Sequence, residues 1–172
     1  MRQFVLFVHL FAAVFWLGEM LMVGLVLGPV SRKMAAGERA ALFRAIGRSS
    51  LPLAWGAIGV LLVTGVLNLV LMGVPLGNLF SGAFYATPFG IWLGVKLLAV
   101  LAMLLVSAYH DFVVGRRANA VRQEITRLKD AAPESTRQAA EHYRKLAMRL
   151  GMLNMVLAIV VLFAAAGLVA AG

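Results

Sequence analysis

The chain has no cysteine among its 172 residues, which excludes disulfides, thiolate-bound metals and thiol redox chemistry. Charge is scarce as well. Charged residues make up 13% of the chain, about half the roughly 25% of a soluble domain. Acidic residues are the scarcest, 7 against 16 Lys and Arg. An excess of positive charge is the electrostatic footprint of nucleic-acid binding. Here, however, the basic side chains sit in short segments beside long apolar runs, where they hold topology and meet lipid phosphates, so no nucleic-acid partner is expected. There is no dyad alternation of the kind that marks a transmembrane β-barrel. Nor is there a nucleophile–base arrangement, a phosphate loop or an H-E-x-x-H motif, so hydrolase and kinase chemistry find no support.

What the chain does have is apolar length. Hydrophobic residues make up 62% of it, gathered into four runs that exceed the roughly 18 residues needed to cross a bilayer. The prediction is an all-α membrane protein: one membrane domain over residues 1–172, built as a four-transmembrane-helix bundle. The spans are residues 3–30, 51–73, 88–114 and 148–171. The first apolar run, Phe4 to Val30, is about twice the length of a signal-peptide core, carries Glu19 and lacks a small-residue cleavage site, so it reads as a retained helix. Two polar segments join the spans. Residues 31–50 form a basic amphipathic stretch, with Leu42, Phe43 and Ile46 on one side and Arg39, Arg44 and Arg48 on the other, suited to lie in the interface. Residues 115–147 predict a helical hairpin interrupted at Ala131-Ala132-Pro133, with Ser135 and Gln138 as a capping box. Pro52 falls in the first turn of the second span. Apart from Arg2 and Lys96, every Lys and Arg lies in these two segments or, as Arg149, at the very start of the fourth span. The positive-inside rule therefore makes them cytosolic and puts both termini on the outer side of a cell (inner) membrane. The expected surroundings are the lipid bilayer, anionic headgroups at the basic loops, and a second copy or a membrane-complex partner.

Ionisable residues within the spans carry the functional signal, since each costs a few kcal/mol to insert. At about 1.5 Å per residue, His9, Asn68 and Lys96 fall roughly 8–12 Å below the outer ends of three different spans. A neutral imidazole ligates copper or haem iron; Asn68 would orient it, and Lys96 would pair with an anion such as a haem propionate. The competing reading makes His9 and Asn68 interhelical glue and lets Lys96 snorkel to headgroups. A second set lies near the other boundary. His110 is about 33 Å along the third span, at the depth where the fourth presents Met148 and Met152. His110 with either methionine is a ligand set for b-haem or copper, while gap-filling core is the alternative for the methionines. Glu19, close in depth to Ser107 and Asn154, is read as either a proton relay or a structural hydrogen-bonding group.

The first span reads His9-Leu-Phe-Ala-Ala-Val-Phe-Trp16-Leu-Gly18 and closes with Gly28-Pro29. The third reads Trp92-Leu-Gly-Val-Lys96 and ends Tyr109-His110-Asp111. This resembles the CopD-like (copper resistance D domain) membrane proteins and, more distantly, the HemJ-type protoporphyrinogen oxidases. The resemblance implies copper or haem b as the bound species, with His9 as ligand and Trp16 and Lys96 shaping the site. It leaves three functions open: copper handling, a haem-dependent oxidase or electron carrier, and a non-catalytic accessory subunit. It also shows no Met- or His-rich collecting cluster on the outer face.

Overall fold

An apolar segment in hydrocarbon has no water to satisfy its backbone, so it closes its hydrogen bonds within itself as helix. The computed structural model describes residues 1–171, and for Ala36 and Asp130 the backbone alone. Its elements are α1 (Arg2–Leu21), α2 (Gly28–Ser31), α3 (Ala36–Leu71), α4 (Pro88–Ala108), α5 (Gly115–Leu128) and α6 (Glu134–Ala171), with short 3-10 turns between α3 and α4 and between α5 and α6. No strand occurs among the described residues. Four helical stretches, Arg2–Ser31, Gly37–Leu71, Pro88–Leu128 and Glu134–Ala171, are long and apolar enough to cross a membrane. The all-helical, four-span expectation holds.

The chain divides into two compact units, Met1–Thr87 and Pro88 onward. In the first, α1 packs on α3, and burial concentrates at Ala12 and Trp16 of α1 and at Ile58, Thr64 and Leu69 of α3. Helix α3 differs from expectation. The break predicted between an interfacial helix ending at Ser50 and a span starting at Leu51 is absent, and the helix runs unbroken through Pro52. Proline removes the N–H that would bond the carbonyl of Arg48. Arg48 and Pro52 are both exposed, so the orphaned carbonyl is not trapped in the packed interior and the helix need not stop. At about 1.5 Å per residue α3 is roughly 54 Å long, well beyond a ~30 Å hydrocarbon core, so its basic first turns project from the bilayer. Its far end closes on Gly73 at φ 74°. The N–H groups of Gly73 and Val74 bond back to the carbonyls of Val70 and Leu69, a Schellman closure that a Cβ would strain.

In the second unit α4 packs on α6, and α5 packs on α6 as well. Met103 is fully enclosed, as are Val114 and Ala164. The Trp92 ring lies flat over Gly167, in the space a Cβ would fill, and meets Phe163 edge-on with centroids 5.5 Å apart. The predicted polar hairpin is present, but its arms are continuations of the membrane helices: α6 runs without interruption from Glu134. Because α6 begins immediately after Pro133, Ser135 sits inside the first turn, and the capping box with Gln138 does not form. The Pro133 carbonyl instead accepts from the N–H groups of Thr136 and Arg137 at 3.0 and 3.2 Å.

Each unit also contains a six-residue π-turn, Met22–Leu27 and Tyr109–Val114. Both end on a glycine whose N–H reaches the carbonyl five residues back, Gly28 to Val23 and Gly115 to His110. Such widened turns recur at functional sites.

Candidate functional site

His9 stands on α1 at the packed face of the first unit, half-buried. Its Nδ1 is 2.8 Å from Thr64 Oγ1 on α3. The Thr64 hydroxyl has one proton, and that proton is directed to the Val60 carbonyl at 2.6 Å. Towards His9 the hydroxyl oxygen is therefore the acceptor, and the imidazole donates from Nδ1. That orients the ring through Nδ1, the way an imidazole that ligates a metal is oriented by a second partner. The ring passes over Gly65, where an added Cβ would meet His9 Cε1 at 3.5 Å.

Asn68 is one turn along α3 from Thr64 and half-buried, and Trp16 is buried on α1. The group that accepts from His9 is Thr64, one turn from the Asn68 that the sequence placed at this depth. Lys96 belongs to the second unit. It is half-buried on α4, with no hydrogen-bond or ion-pair partner among the described residues.

The second unit has its own polar cross-link. The Asn154 amide on α6 donates to Ser107 Oγ on α4 at 2.7 Å, and both residues are buried. Among the described residues Asn154 Oδ1 has no partner, and the same is true of Glu19 Oε2 in the first unit. The shared depth of Ser107 and Asn154 was visible in the sequence; their bond was not. His110 lies in the π-turn, with Nδ1 2.7 Å from the Asp111 carboxylate. Met148 and Met152 are 47% and 65% exposed. They sit on the outer face of α6, away from the packed interior that encloses Met103. Among the described residues no three His, Asp or Glu side chains gather into a metal cluster.

Compared with known proteins, the chain matches a family model described as Copper resistance protein D over residues 43–168. That stretch takes in most of α3 and nearly all of the second unit, and it leaves out His9 and Trp16. No curated protein and no solved structure matches.

Proposed function

The chain belongs to the copper resistance protein D family, and from that premise we propose that this multi-pass membrane protein handles copper, with His9 Nε2 as the copper ligand of the first unit. The observation that supports this reading is the cross-helix hydrogen bond between His9 and Thr64, which orients the imidazole. Copper accepts imidazole nitrogen readily. Trp16 and Asn68 line the same helix pair. In this reading Lys96, on α4, is not a ligand; its ammonium serves an anionic group at the headgroup level. The membrane is the cell (inner) membrane, with the basic segments cytosolic and both termini outside. The family match lends nothing to haem.

The test is the copper content and visible spectrum of the purified protein after incubation with Cu(I). Wild type should bind copper and show no Soret band. His9→Ala should lose the bound copper, and Thr64→Val should weaken it about 10–100-fold, the usual effect of removing an orienting partner. If His9→Ala binds copper as wild type does, His9 is not the ligand. A Soret band that disappears in His9→Ala would replace copper with haem.

A further inference from the structure

The cations of the second unit fall into two zones. Arg116 and Arg117 open α5 directly after the π-turn that ends the apolar run of α4, and Arg149 stands where the apolar run of α6 begins. Farther along the hairpin, by roughly 6–16 Å at helical rise, come Glu124, Arg127, Glu141, Arg144 and Lys145.

In the distal zone Arg127, Arg144 and Lys145 are paired, while Lys129 at the hairpin tip has no ion pair among the described residues. Arg127 meets Glu124 at 2.7 Å, and Arg144 grips Glu141 with two nitrogens at 2.7 and 2.6 Å. Lys145 stands 3.7 Å from the same carboxylate. The Arg144 hydrogen bond holds the Glu141 carboxyl below its ordinary range.

In the proximal zone no ion pair occurs among the described residues. Arg116 lies over the Phe112 ring at 5.8 Å, and neither Arg117 nor Arg149 has an ionic partner. The nearest acid in sequence, Asp111, holds His110. The first unit repeats the pattern. Its basic segment contains a single acid, Glu38, whose carboxylate accepts from the Ala35 N–H at the start of α3, and Arg32, Lys33, Arg44 and Arg48 have no ion pair among the described residues.

We propose that Arg116, Arg117 and Arg149 bind the phosphates of anionic phospholipids, while the distal ion pairs face water. A planar guanidinium presents two donors that fit a phosphate. Cations next to an anionic leaflet gain from its surface potential, and that gain dies away within a Debye length. Phe112, 41% exposed, sets an apolar ring beneath Arg116 at the level where acyl chain meets headgroup. Asp111, the acid at this boundary, is bonded to His110, and the other acids of the unit lie on the hairpin.

The experiment places the full-length protein in nanodiscs of phosphatidylcholine alone or mixed with phosphatidylglycerol. It reads the thermal midpoint, and the phosphatidylglycerol retained after detergent exchange by native mass spectrometry. Wild type should melt higher with phosphatidylglycerol and retain it, less so as salt rises. The triple variant Arg116→Gln, Arg117→Gln, Arg149→Gln should retain it roughly a hundredfold less. The charge-matched distal triple, Arg127→Gln, Arg144→Gln, Lys145→Gln, should behave as wild type. Equal loss in both triples would reduce the effect to net charge and overturn the proposal. So would a wild type indifferent to phosphatidylglycerol, or full stabilisation in phosphatidylcholine by inorganic phosphate. If the proximal triple fails to insert, Arg149→Gln alone, read by the same retention, decides the matter.

Discussion

The two units solve one problem in different ways. Each has a polar side-chain bond across its helix pair, His9 to Thr64 in the first and Asn154 to Ser107 in the second. The second bond is fully enclosed and chemically neutral. Its unit also holds the most tightly enclosed apolar side chains of the chain, Met103, Val114 and Ala164, together with the Trp92 ring seated on Gly167. The first bond comes from a half-buried imidazole, a side chain that can ligate metals. The lesson is a division of labour: tight definition in the unit that the family match covers almost whole, and the strongest ligand chemistry in the unit it covers only in part.

The sharpest way to break that contrast is one substitution made in both units. Gly167→Ala drives a methyl into the Trp92 ring, and overpacking of that kind costs about 1–3 kcal/mol. Unfolding in mixed micelles should show it as a lowered midpoint. Next comes Asn154→Ala, which removes a hydrogen bond worth about 0.6 kcal/mol on average in membranes and also leaves a void. The void makes the expected loss larger, about 1–2 kcal/mol, with copper binding at His9 unchanged. Thr64→Val keeps shape while removing the acceptor for His9. Interhelical hydrogen bonds in membranes are worth only about 0.6 kcal/mol on average, so stability should barely move while copper affinity falls. An equal loss of stability in Thr64→Val and Asn154→Ala would erase the distinction between the units. The smallest effect belongs to Gly65→Ala. Its new methyl would meet His9 at 3.5 Å, an ordinary contact, so midpoint and copper binding should both stay near wild type.

Much of this was legible in the sequence, and what escaped it has a common cause. Hydropathy and the cost of inserting charge located the four spans, His9 and Lys96, because both depend on composition along one dimension. Helical rise gives depth but not azimuth. It set Asn68 level with His9, whereas the residue that actually faces the ring is Thr64, one turn away. The same gap separates a methionine stripe from its direction: Met148 and Met152 share a spacing that suits a site, and the structure turns them outward. The continuity of α3 through Pro52 depends on whether the Arg48 carbonyl can stay clear of the packed interior, which is a tertiary fact. The π-turns leave no trace in hydropathy, and the seat of Trp92 on Gly167 joins residues far apart in the chain.

The unbroken course of α6 has a mechanical consequence. From Glu134 to Ala171 it is a strut of roughly 57 Å, with no irregular turn at which to bend. The stretch packed against it, α4 through α5, is interrupted at Tyr109–Val114. Strain on the basic hairpin would therefore meet an unbroken helix on one side and, on the other, the widened turn that holds the 2.7 Å contact between His110 and Asp111.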